Sequence, residues 1–203
     1  MTFQKFESLG RITRDCVFTE KIDGTNAQIM VVSRSQLEAE GLADCAATAT
    51  SSDDQYNMYV GSRKRWISPG KSTDNYGFAG WCRDHADELI TTLGEGRHYG
   101  EWWGHGINRG YGTAERRFSL FNVGRWSEEN TPDWLHVVPT LGIGPIENWS
   151  RYSDQLSYNG SFASPGFMNV EGIVIYHMQS GAGFKYTYEG DDLSKWQLLE
   201  NKS

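Results

Sequence analysis

Lys21, Asp23 and Asn26 stand close together in "EKIDGTN", at the head of an apolar run that ends "AQIMVV". A lysine amine becomes a nucleophile once it has lost a proton, and the interior of a strand has no other use for one. Further polar islands lie in or beside apolar strands: Gly61-Ser62-Arg63-Lys64-Arg65, Tyr99-Gly100-Glu101-Trp102-Trp103-Gly104, Val170-Glu171-Gly172-Ile173-Val174 and Phe184-Lys185-Tyr186. A lone charge facing a core is costly unless it is paired. Glu101, Glu171, Lys21 and Lys185, each set in an apolar strand, are therefore expected to converge on one polar cleft. Each residue has a plainer reading when taken alone. Lys21 reads as a strand-end lysine with its amine in water, "RKRW" as a solvated turn, and the two glutamates as structural ion-pair partners.

Composition removes several function classes. The 203 residues can bury a core without a disulfide or a structural metal. No apolar run approaches the roughly 18–20 residues of a membrane span, and "MTFQKFESLGRI" lacks the apolar stretch of a signal peptide. A soluble, cytoplasmic protein with no membrane partner is expected. Cys16, Cys45 and Cys82 form no CxxC pair, and the five histidines show no ligand spacing, so neither a disulfide framework nor a zinc site is indicated. A net charge of −7 argues against coating nucleic acid through bulk charge and leaves room for a local basic groove. "SPGKS" ends like a phosphate-binding loop, but Arg65 stands where that loop needs its first glycine. G-x-G-x-x-G, G-x-S-x-G and H-E-x-x-H are also missing.

These residues must be positioned by strands. Val17–Val32 contains one with a long apolar end. Arg34–Gln55 reads as a surface insertion with a short helix near Leu37–Glu40, and strand character resumes at "YNMYVGSRKRWI". Phe78, Trp81, Cys82, His85, Leu89 and Leu93 recur at helical spacing, stopped by Gly94 and Gly96, with His85 expected to be a satisfied, partly buried histidine. Strands follow near His98–Trp103, Arg117–Val123 and Leu135–Val138, then a helix over Ile146–Leu156. A last strand pair, "VEGIVIYH" and "GFKYTYE", precedes an amphipathic tail, "DLSKWQLLE". Many strands, few helices and no βαβ alternation predict an antiparallel α+β fold, as one domain over 1–203.

In order and spacing these islands resemble the covalent nucleotidyltransferase superfamily of polynucleotide ligases and capping enzymes, most of all its RNA ligase 2-like, phage-type members. Lys21-Ile22-Asp23-Gly24 matches the K-x-D-G motif, and "SRKR", "YGEWWG", "FSLFNV", "VEGIVI" and "FKYT" match motifs Ia, III, IIIa, IV and V. The resemblance implies an ATP-grasp-like nucleotidyltransferase domain whose antiparallel sheets and flanking helices enclose an AMP cleft. It implies that Lys21 takes AMP from ATP and that Lys185 contacts the α-phosphate. Glu20 and Ile22 would lie beside the adenine. Asn26 and Arg63 would hold ribose or phosphate, with Arg65 a second anion contact. Glu101 would bind the ribose hydroxyls, Phe121 rather than Phe118 would stack on the adenine, and Glu171, with Glu101, would hold Mg²⁺ or Mn²⁺.

The chemistry suits these residue types. An unperturbed lysine, pKa ~10.4, is a free amine about once in a thousand at neutral pH, and correcting that population is worth roughly 4 kcal/mol. Lys185, Arg63 and a bound metal would supply much of it while neutralising the phosphoryl group and departing pyrophosphate. Gly24 is expected to let the backbone bend beside the nucleophile. Asn26, where DNA ligases carry arginine, tilts the expectation toward RNA ends. A nicked duplex is the other substrate expected, and a DNA nick ligase or a non-catalytic nucleic-acid-binding module are the alternatives. Motif V departs from the family, with Thr187 in place of its second lysine, so Lys195 is a candidate for the missing charge. With no added C-terminal domain expected, a protein or domain acting in trans would grip the substrate, in the host cytoplasm if the gene is phage-borne.

Overall fold

The apolar run from Val17 to Val32 is two strands, and the break falls inside the lysine motif. The computed structural model describes residues 3–6, 9–42 and 44–189. In chain order the elements are β1 (Cys16–Lys21), β2 (Thr25–Ser33), β3 (Ala49–Thr50), β4 (Tyr56–Ser62), β5 (Trp66–Ile67), α1 (Phe78–Asp84), α2 (Ala86–Leu93), β6 (Gly96–Gly104), β7 (Arg116–Leu120), β8 (His136–Val137), β9 (Thr140–Gly144), α3 (Trp149–Asn159), β10 (Gly172–His177) and β11 (Gly183–Thr187). The chain divides into two compact units, Met1–Ile22 with Val138–Ser203, and Asp23–Val137.

In the first unit β11, β10, β1 and β9 form an antiparallel sheet in that order. Side chains alternate across it. Cys16, Phe18, Ile173 and Ile175 face α3, where they bury Tyr152 and Leu156, and the Phe18 ring stacks 4.6 Å from that of Tyr152. The register puts Thr19, Lys21, Val174, Lys185 and Thr187 on the opposite face. Sequence reading had passed over β9, whose "TLGIG" is too glycine-rich for a strand signal.

In the second unit the sheet runs β3-β4-β2-β6-β7-β8, with β5 on β4. It is antiparallel except where β7 meets β8. Ala27, Ile29 and Val31 of β2 face the core made with Phe78, Cys82, Leu89, Leu93 and Phe118. Met30 and Val32, on the other face, are covered by Leu42 and Tyr59 from the polar insertion and β4. Beside them Asn26, Gln28, Tyr99, Glu101 and Ser119 make a polar stretch of that face, bordered by the buried Trp103.

The periodic stretch Phe78–Leu93 is two helices and not the predicted one. The chain breaks at His85 (φ −118°, ψ 26°), whose Nδ1 lies 2.9 Å from the Trp81 carbonyl and whose ring packs on Trp81 and Trp134. Asp74, in the turn-rich stretch before α1, accepts the Ala79 and Gly80 N–H groups and so fixes where that helix begins. The helix predicted near Leu37–Glu40 is a 3₁₀ turn at Arg34–Gln36 followed by irregular turns. The tail "DLSKWQLLE" and Lys195 within it lie outside the described residues. Among the described residues no helix is long and apolar enough to cross a membrane.

Candidate active site

Lys21 is the last residue of β1, and its ammonium lies 2.6 Å from Glu171 Oε2. Both side chains are about one-fifth exposed, at 22% and 19%. Glu171 Oε2 is shielded from solvent, which leaves the Lys21 ammonium as its partner among the described residues. Lys21 pairs in register with Gly172, and Gly172 with Thr187. A Cβ on Gly172 would fall 2.0 Å from the Tyr186 carbonyl oxygen, and its φ of +155° also favours glycine. Thr187, where the resemblance led to a second lysine being expected, therefore sits in Lys21's own row, across a bare glycine. Lys185 shares that face, is exposed, and has no carboxylate partner among the described residues.

Glu20 points the other way. Neighbours along a strand face opposite sides, and Glu20 turns toward the α3 side, 1% exposed. The Ser161 hydroxyl donates to Oε1 at 2.6 Å, and the Phe162 and Ala163 N–H groups donate to Oε2 at 2.8 and 3.0 Å. Burial pushes its carboxyl above the usual range, and the three donors pull it back in part. This carboxylate is committed to the 161–163 loop. The Ile22 side chain is buried as well.

In the second unit Asn26 and Glu101 are cross-strand partners on β2 and β6. Glu101 Oε1 accepts the Gly24 N–H at 3.1 Å. Phe121, just past β7, is 38% exposed and its N–H bonds the Tyr99 carbonyl, which extends the ladder on the polar face. Phe118 is fully buried in the core, 5.0 Å from the Phe78 ring. Trp102 and Trp103 are buried too. Arg63 and Arg65 are exposed on the turn between β4 and β5, and neither has a carboxylate partner among the described residues.

Sequence reading missed the residues that hold the motif's turn. Asn108 Nδ2 donates to Asp23 Oδ1 at 2.8 Å and to the Gly24 carbonyl at 2.7 Å. Arg109 Nε lies 3.1 Å from Asp23 Oδ2, and the Asp23 N–H donates to the Tyr111 hydroxyl at 2.8 Å. The one available signal was the density of glycines in "GHGINRGYG" directly after motif III. Gly24 itself needs correction. Its φ is not positive, so a special bend is not what requires glycine. A Cβ there would meet the Trp102 carbonyl oxygen at 2.4 Å and Trp103 Cβ at 2.7 Å, so close approach to β6 is the reason.

No cluster of three or more histidine, cysteine or acidic side chains able to hold a metal ion occurs among the described residues. A Mg²⁺ or Mn²⁺ ion held by one or two carboxylates together with phosphate oxygens needs no such cluster. The buried Glu171 oxygen, whose partner is a lysine, is a donor of the required kind.

The family model for RNA ligase matches residues 14–187. The chain belongs to the RNA ligase family. Its fold is that of solved RNA ligases from Naegleria gruberi. An apo aspartate mutant superposes with a TM-score of 0.54 at 17% identity, over 94% of this chain and 52% of that one. An arginine mutant with ATP and Mn gives 0.54 at 16%, over 94% and 53%. A lysine-to-methionine mutant with AMP and Mn gives 0.53 at 14%, over 87% and 50%. This RNA ligase family chain thus spans about half the length of the solved ligases it matches. No curated protein matches it. As the sequence predicted, the architecture is α+β with predominantly antiparallel sheets.

Proposed function

We propose that the chain is an ATP-dependent RNA ligase that works through a lysyl-AMP intermediate. The observation that carries this reading is the Lys21–Glu171 pair at 2.6 Å, which joins the K-x-D-G lysine to the glutamate of "VEGIVI" in an RNA ligase family chain. Lys21 sheds its ammonium proton, with Glu171 as the adjacent acceptor, and Nζ attacks the α-phosphorus of ATP. A P–N bond forms, and the bond to pyrophosphate breaks. AMP then passes to an RNA 5′-phosphate, and a 3′-hydroxyl attacks that phosphate and releases AMP.

Lys185 and Arg63 neutralise phosphate charge, with Arg65 a second anion contact. Asn26 and Glu101 hold the ribose side, and Phe121 is the adenine platform. The Glu20 and Ile22 backbones border the base. Glu171, with Glu101 as a second carboxylate, would hold the divalent cation, whose chemistry is to neutralise charge on the phosphates. Solved relatives carry ATP and Mn, or AMP and Mn, which supports the choice of nucleotide and metal. Asn26 favours RNA ends over nicked DNA, and a partner in trans would help grip the strands. The three free cysteines fit a reducing cytoplasm.

Incubation with α-labelled ATP or GTP and Mg²⁺, followed by denaturation, tests the reading. Acid-labile label from ATP alone, absent in Lys21→Ala, is expected. A folded, nucleotide-free protein that takes no label at any pH from about 6 to 9 would be a binding module instead. Nicked duplexes with RNA or DNA at the 3′ side then separate the two ligase substrates.

A further inference from the structure

We propose that the loop over residues 105–113 is a clamp on the Asp23-Gly24 turn, with Asn108 and Arg109 as positioning residues for adenylyl transfer. The inference rests on Lys21 being the nucleophile. It gives a role to residues that no motif of the family resemblance covered.

The loop and Glu101 of β6 together engage nearly every polar group of the turn. Asn108 uses its two carboxamide hydrogens on different residues, one on Asp23 Oδ1 and one on the Gly24 carbonyl. Arg109 takes the second Asp23 oxygen. The Asp23 N–H is held by Tyr111 and the Gly24 N–H by Glu101. Rotation of either peptide would break at least one of these bonds. Ile22, between this turn and Lys21, is buried, so little slack remains in the chain that leads to the amine.

The loop is itself held in an unfavourable conformation. Asn108 (φ 42°) and Tyr111 (φ 51°) are non-glycine residues in the left-handed region, among four glycines of positive φ: Gly104, Gly106, Gly110 and Gly112. Such backbone persists where its surroundings fix it. Here Ile107 and Tyr111 are buried, the Tyr111 ring meets Trp103 edge-on at 5.1 Å, and Arg116 Nε donates to the His105 carbonyl at 3.0 Å. A loop built rigidly at a conformational cost, ending in polar groups that hold a turn beside the nucleophile, is what positioning a reacting amine requires.

A purely structural role makes a different prediction at Asn108. Glycine adopts a φ of +42° freely, so Asn108→Gly removes both clamping bonds and relieves the backbone. The experiment measures single-turnover lysyl-AMP formation and thermal unfolding for the full chain, wild type, Asn108→Gly, Arg109→Ala and Arg109→Lys. For Asn108→Gly, melting is expected within about 3 °C of wild type. Its labelling rate at saturating ATP should fall on the order of 10- to 100-fold, with the KM for ATP within about twofold. Arg109→Ala should lose rate similarly, and Arg109→Lys, which keeps a cation against Asp23, should recover part of it. A rate within about twofold of wild type in both Asn108→Gly and Arg109→Ala overturns the proposal, as does a rate that falls only in step with melting temperature. Wild-type labelling tests the ligase reading, and the ratio of variant to wild-type rate tests the clamp, so the two fail separately.

Discussion

Lys21 and Glu171 hold each other at 2.6 Å, and the phenylalanines Phe118 and Phe121 show equally well how one position changes what a side chain is for. Both lie in "FSLFNV", but Phe118 fills the core beside Phe78 and Trp81, while Phe121 is 38% exposed on the polar face. Phe118→Ala should cost about 3–5 kcal/mol of stability. Phe121→Ala should stay within about 0.5 kcal/mol of wild type and weaken ATP binding. Denaturant unfolding with a nucleotide-affinity measurement checks the pair. Equal destabilisation by both, or unchanged ATP affinity in Phe121→Ala, would remove Phe121 from the nucleotide. At this scale the sequence was legible where a charge stood alone in an apolar strand, as Lys21 and Glu171 do. It did not show that the Glu20 side chain, next to Lys21 in sequence, lies on the opposite face of the strand. It was silent on Asn108 and Arg109, whose contacts span 85 and 86 residues.

β1 serves both faces of its sheet, with Lys21 on one and Glu20 on the other. Glu20 is the acceptor that orders the 161–163 loop. Glu20→Gln keeps oxygen and shape and should stay within about 1 kcal/mol of wild type, whereas Glu20→Ala strands two N–H groups at about 1–3 kcal/mol each. The pH dependence has a definite sign. Burial raises the folded-state carboxyl above its unfolded value, so Glu20 favours the folded state in acid and loses that contribution as pH rises through its folded pKa. Thermal melts of Glu20→Gln should therefore gain on wild type as pH climbs through and above the carboxylate range. A difference that shrinks with rising pH would show the carboxylate to be stabilised as an anion. β10 was read well from "VEGIVIYH", whereas β1 and β2 were read as one strand because the turn between them lies inside the K-x-D-G motif. The helix over Phe78–Leu93 was read as continuous because its apolar spacing runs unbroken through His85, whose backbone angles and ring contact with the Trp81 carbonyl mark the break.

Two histidines contribute to the acid response of the whole molecule. Burial lowers the pKa of His98, with Arg125 adding to the effect, and burial with Arg117 lowers that of His136. A histidine held neutral in the fold binds its proton more readily when unfolded, so stability should decline as pH falls through about 6.5. Melting temperature measured from about pH 8 to 5 should drop across that range, and His98→Gln should flatten part of the drop. A flat profile in wild type would place both rings in contact with water.

The second unit is one continuous stretch, Asp23–Val137, set between the two pieces of the first. Among the described residues β1 pairs with β9 and β10, both encoded after that stretch. On a chain made from its N-terminus, the strand with Lys21 emerges early and waits, unpaired, while the entire second unit is synthesised. Glu171 and Lys185 arrive later still. A product cut short between Val137 and Glu171 carries the whole K-x-D-G motif and lacks the carboxylate that pairs with Lys21.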